Sequence, residues 1–129
     1  EGCVSTVGNA AGELLLGLAR RKLQSPRDVS QASIADLLQR AANAFQTAAV
    51  CQNSDAEDKA TAWYNIACAA GLAGRAEPTA KALQMCFGLI KSPKGRLKWM
   101  AEAAKDSDLN SVRLDAQVQE ALKAPRGGY

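Results

Sequence analysis

The stretch ATAWYNIACAAGLAGRAEPTAKALQMCFGLI, residues 60–90, limits the fold more tightly than any other part of the chain. Trp63 and Tyr64 come first, then a run of small residues, then Gly74, then small and large apolar residues again. Alanine is the strongest helix former, and small side chains let helix axes approach closely. A glycine between two such runs supplies the left-handed residue that ends a helix. The order therefore predicts two helices leaning on each other, antiparallel because the link between them is short.

Apolar residues recur at helical spacing in further blocks. A first helix is expected over about 9–24, with Leu16, Ala19 and Leu23 on one face, and a polar connector with Pro26 follows. A second is expected over about 33–51, with a stripe of Ile34, Leu37, Leu38, Ala41, Phe45 and Ala48. Ser54 or Asp55 can cap a third, over 56–73, whose first turn is acidic as the helix dipole favours. The fourth is expected over 77–91 with Leu83, Cys86, Phe87 and Ile90 inward, and the fifth over 94–105 with Leu97, Met100, Ala101 and Ala104 inward. A turn, DSDLNS, leads to a last helix using Leu114, Val118, Ala121 and Leu122, and APRGGY is a tail. The fold class is all-α.

Composition narrows function mainly by exclusion. The net charge of +3 is small for a dedicated nucleic-acid binder. No histidine is present, which removes the commonest general base and the commonest metal ligand. Cys3, Cys51, Cys68 and Cys86 form no CxxC pair. They read as thiols serving as small buried apolar residues, which implies a reducing compartment; disulfides are the alternative, though nothing in a chain this long demands them. The longest strongly apolar run, LLLGLA, is far shorter than the roughly 20 residues of a membrane span. The chain begins with Glu1 rather than Met, so an N-terminal targeting segment has been removed or the sequence starts partway along a longer one. No P-loop or glycine-rich nucleotide fingerprint occurs. Glu102 with Asp106 or Asp108 can be imagined as paired carboxylates, but nothing sets a substrate between them. No catalytic residue, cofactor or metal ligand is assigned, and the chain reads as a non-enzyme.

Residues 60–93 resemble a tetratricopeptide (TPR) repeat, a helix–turn–helix unit of about 34 residues. Trp63 fills the early bulky position, Ile66 and Ala67 the large-small pair, Ala70 the later contact and Gly74 the turn. Thr79, Leu83, Cys86 and Phe87 take the second-helix positions, and Pro93 falls near the repeat end. AWYNIA is close to the family's AWYNLG; Ala76 and Ala70 depart from it, standing where aromatics are usual. A looser pair lies upstream at 9–51, where Leu16-Gly17 and then Ala41, Phe45 and Ala48 imitate the pattern. DSDLNSVRLDAQVQEAL resembles the ending after many final TPR units. The resemblance implies a single domain over 1–124: the upstream pair 9–51, the best unit 60–93 and a cap 94–124, with 125–129 as tail. The expected architecture is a short TPR-like solenoid closed by a C-terminal helical pair.

By the same resemblance, the concave face would carry Thr61, Tyr64, Asn65, Cys68 and Leu72 as partner contacts, with packing on the upstream repeat as the equal alternative for Tyr64. Of the residues with which chaperone-binding TPR proteins clamp a peptide carboxylate, only Asn65 is present, which disfavours that role. Two basic corners stand out: Arg20, Arg21, Lys22 and Arg27, then Lys91, Lys94, Arg96 and Lys98. Each closes a helix, where cations meet the dipole favourably, or docks on an acidic surface. The reading is a non-catalytic scaffold for protein–protein interaction, an accessory subunit or assembly factor of a larger complex. Similarity to plastid and cyanobacterial TPR proteins implies a photosynthetic complex in a plastid, with the chain peripheral on the stromal side of the thylakoid. The alternatives are a free peptide-binding co-chaperone and a basic helical module in an RNA–protein assembly; two repeats are too few to read RNA bases.

Overall fold

A computed structural model describes residues 5–25, 31–52 and 54–123. Cys3, Arg27 and the tail lie outside the described residues. The described chain is all-helical: α1 (Ser5–Gln24), α2 (Gln31–Ala49), α3 (Ala56–Leu72), α4 (Ala76–Leu89), α5 (Pro93–Lys105), a 3-10 turn (Ser107–Leu109) and α6 (Ala116–Ala121). α1 packs on α2, α2 on α3, and α3 on α4, with α6 closing against α4.

The boundaries follow from local chemistry. Asp55 caps α3 by accepting from the Asp58 N–H at 2.9 Å, with Glu57 and Asp58 in the first turn. At the far end Gly74 adopts φ +74°. Its N–H donates to the Gly71 carbonyl at 3.0 Å and the Arg75 N–H to the Ala70 carbonyl at 2.9 Å. That is the paired closure of a Schellman motif, and it turns the chain back into α4. Ser92 caps α5 by accepting from the Gly95 N–H at 2.8 Å, ahead of Pro93. Asp115 caps α6 through the N–H groups of Gln117 and Val118.

The α1–α2 pair is set by missing side chains. A Cβ at Gly8 would lie 2.8 Å from the Ala44 carbonyl oxygen, and one at Gly12 would lie 2.5 Å from the Phe45 ring. Phe45 is fully buried in the space so opened. Leu16 and Ala19 continue the same face of α1, and α2 answers with the stripe expected of it, Ile34 to Ala48. Burying one such side chain contributes about 1.5–3 kcal/mol, so the interlock of Phe45 with two glycines weighs heavily in the core.

Three expectations need correction. α5 turns Met100 and Ala103 inward, whereas Leu97 is 59% exposed and Ala101 and Ala104 face solvent. The last helix is only Ala116–Ala121, and Leu114 in the preceding turn is 89% exposed, because the Asp115 cap starts the helix after it. Cys51 is disulfide-bonded rather than a free buried thiol, which removes the basis for inferring a reducing compartment. Cys68 and Cys86 are free and buried, as expected. No helix among the described residues is long and apolar enough to cross a membrane.

Gly8→Ala should lower stability by about 1–3 kcal/mol, since a backbone carbonyl must move to admit the methyl group. Gly17→Ala in the same helix should be neutral or stabilising by up to about 1 kcal/mol, because its Cβ would meet only Arg21 at 4.0 Å. Urea midpoints of the two variants at unchanged m-value test the contrast.

Candidate functional site

Of the five α3 residues expected to meet a partner, the chain itself covers Tyr64 and Cys68 and leaves the other three half-buried. Tyr64 and Cys68, one turn apart, both point at the link between α5 and α6. The Tyr64 hydroxyl donates to Asp106 Oδ2 at 2.6 Å, and Cys68 Sγ lies 3.8 Å from the same oxygen. The other Asp106 oxygen accepts from the Asp108 N–H at 3.0 Å and so caps the 3-10 turn. Trp99 of α5 packs on the Tyr64 ring, with centroids 5.1 Å apart and planes tilted by 56°.

Asp108 is buried, and α1 supplies its counter-ion. Arg20 donates through Nε to Oδ1 at 3.2 Å and Oδ2 at 3.1 Å, and through Nη2 to Oδ2. The segment lies close to α3 because residue 71 has no side chain: a Cβ there would stand 2.7 Å from the Asp108 carbonyl oxygen. Ser111 Oγ donates to the Gly71 carbonyl at 2.8 Å, and Leu109 is fully buried beside it. Arg113 donates to the carbonyls of Ala103, Ala104 and Asp106, satisfying the open end of α5. One polar knot thus ties α1, α3 and α5 to the last quarter of the chain.

The knot's chemistry is that of a fastening. Burial, then the hydrogen bond to Asp106, pushes the Tyr64 hydroxyl far above its ordinary range. Burial and the carboxylates of Asp106 and Asp108 do the same to Cys68, so it is no thiolate at neutral pH and no ready nucleophile. Burial alone pushes Cys86 up to about 12. Cys68, Asp106 and Asp108 hold candidate metal-ligating atoms within 4.8 Å of one another. Arg20 and Tyr64 already engage both carboxylates, so a cation entering there must displace a bonded guanidinium.

Tyr64 and Cys68 are therefore corrected from partner contacts to buried members of the knot. Thr61, Asn65 and Leu72 are half-buried; Thr61 Oγ1 bonds back to the Glu57 carbonyl at 3.0 Å, and Leu72 borders an open groove with Arg20, Leu23 and Gln24. Two of the basic residues are corrected as well. Arg20 is engaged by Asp108, and Arg96 donates to the Ile90 carbonyl at 2.7 Å, closing the C-terminus of α4. Arg21, Lys91, Lys94 and Lys98 are exposed and Lys22 is half-buried. Asp106 and Asp108 were visible in the sequence as an Asp-x-Asp turn, but their partners Arg20 and Tyr64 are distant in the chain and no local signal joins them. Comparison of the chain with family models, curated proteins and solved structures gives no match.

Arg20→Ala should cost about 1–3 kcal/mol, more than Asp108→Asn, because it strands a buried carboxylate whereas the guanidinium is 43% exposed. A double-mutant cycle by urea unfolding should return a coupling of about 0.5–3 kcal/mol. Stability should also fall as pH rises from 9.0 towards about 12, because the unfolded chain loses the Cys86 proton there and the native chain retains it. Cys86→Ala should reduce that alkaline fall without abolishing it, because Cys68 and Tyr64 are raised in the same sense, and the urea midpoint against pH measures the difference.

Proposed function

We propose that this chain is a non-catalytic helical scaffold for protein–protein interaction, built from TPR-like hairpins and working as an accessory subunit or assembly factor. The observation that carries the reading is the outer face of α1. Val7 is 68% exposed, Leu14 73% and Leu18 39%, with Ala11 exposed between them. These positions fall on one side of the helix, turned away from the face that meets α2. A contiguous exposed apolar stripe of this kind marks an interaction surface more often than a stray leucine does.

The helix order supports the same reading. α1–α2 and α3–α4 are adjacent packed pairs, and α2 leans on α3, as successive hairpins do in a helical array. An array buries each unit against the next, so a helix of such a unit presents an apolar face unless something covers it. A helix of a partner protein is the natural complement. Tyr64 and Cys68 of α3 are engaged by the knot, which favours docking on the exposed α1 stripe over capture of a free peptide along α3. The plastid setting implied by the sequence resemblance accommodates such a subunit, peripheral to a membrane complex.

The test is the native size of the chain in gently solubilised source extract, compared with a Leu14→Asp/Leu18→Asp variant. The wild-type chain should run in a large nuclease-resistant species, and the variant should leave it while keeping its helicity and melting temperature. A wild-type chain running at monomer mass would sink the accessory-subunit reading. Collapse of the large species on nuclease treatment would favour the RNA module instead.

A further inference from the structure

The link between α4 and α5 folds beside the first turn of α3 and leaves a groove of about 400 Å3. Its floor is apolar, formed by Leu89, Ile90 and Trp99, all half-buried. Its rim is basic: Lys91 and Lys98 both line it and both are exposed. Lys94, one turn before Lys98 and also exposed, carries the basic edge onto the outer side of α5 around Leu97.

These three cations are uncommitted. Among the described residues the ion pairs are Arg20–Asp108, Arg40–Asp36 and Lys123–Glu120, and none of the three lysines takes part. Arg96, the fourth basic residue of this corner, is withdrawn from the surface by its bond to Ile90. One carboxylate, Glu57, borders the groove against the two rim ammonium groups. Lys94 and Lys98 repel each other at i,i+4, and the first turn of α5 holds no acid to offset its dipole. An anionic partner relieves each of these, and the apolar floor asks for a side chain as well as a charge.

We propose that this groove docks an acidic segment of a protein partner, one that sets an aromatic or branched aliphatic side chain between Asp or Glu residues. The volume suits one or two side chains rather than a compact ligand with its own shell. A nucleic-acid backbone would leave the apolar floor unused, and a planar membrane surface would not reach into a groove between two lysines. The inference rests on reading the chain as an interaction scaffold, and it gives the partner chemistry of a second contact, on helices other than the one bearing the α1 stripe.

The experiment uses the full chain carrying Trp63→Phe, which leaves Trp99 as the single tryptophan. The probe is the acetylated, amidated peptide Glu-Asp-Phe-Asp-Glu-Leu-Phe-Glu-Asp, titrated at low salt while Trp99 emission is followed. Saturable binding is expected. It should weaken by about tenfold or more in Lys91→Glu/Lys98→Glu, with the all-amide peptide, and with a peptide whose Phe and Leu are replaced by Ser. Arg21→Glu/Lys22→Glu, with the same change of charge elsewhere, should bind as the parent does. Lys91→Ala/Lys98→Ala serves if the reversal variant loses helicity.

No saturable change, equal affinity for the all-amide peptide, or equal weakening in the Arg21/Lys22 variant would each overturn the proposal. So would tighter lysine-dependent binding to an oligouridylate or to phosphatidylserine-containing vesicles. If the peptide fails while Leu14→Asp/Leu18→Asp still releases the chain from its complex, only the groove is lost and the scaffold reading stands.

Discussion

Close approach of backbone to backbone, permitted by absent side chains, is the constraint on which this molecule depends. Gly8 and Gly12 let α1 settle onto α2 until the Phe45 ring occupies the space their side chains would have filled. Gly71 does the same for the segment that follows α5. A glycine inside a helix costs about 0.5–1 kcal/mol in propensity. Each of these positions returns more than that in contacts made by the neighbour that moves in. Shape, more than the strength of any one bond, decides which helix lies on which.

Polar groups then fix what shape allows. Asp108 is buried and Asp106 half-buried, and each carboxylate is matched to a donor: the Tyr64 hydroxyl to Asp106, the Arg20 guanidinium to Asp108. A buried charge left without a partner is far more costly than the pair is stabilising, so such contacts specify an arrangement more than they strengthen it. They hold the C-terminal segment in a single register against α3. Among the described residues, the polar knot engages neither the apolar stripe of α1 nor the basic groove by α5.

Local patterns in the sequence carried much of this. The stripe of α2, the Asp55 cap and the Gly74 closure all depend on residues a few positions apart, and each was legible. α5 was less so, because Leu97 sits at helical spacing with Met100 yet faces solvent; periodicity cannot say which side of a peripheral helix finds a neighbour. The polar knot was not legible at all. Arg20 and Asp108 are 88 residues apart and read locally as a basic helix end and a turn. Tyr64 and Cys68 share one face of α3, and nothing local in the sequence warned that Asp106 would meet both of them.

Gly71 has a consequence for how the structure opens. Asp108 and Leu109 lie against α3 only because residue 71 is bare. The same segment carries the partners of Tyr64 and Arg20, so it leaves α3 as one piece and gives up those bonds together. The buried Cys68 thiol is then reached by a reagent in water only through that local opening.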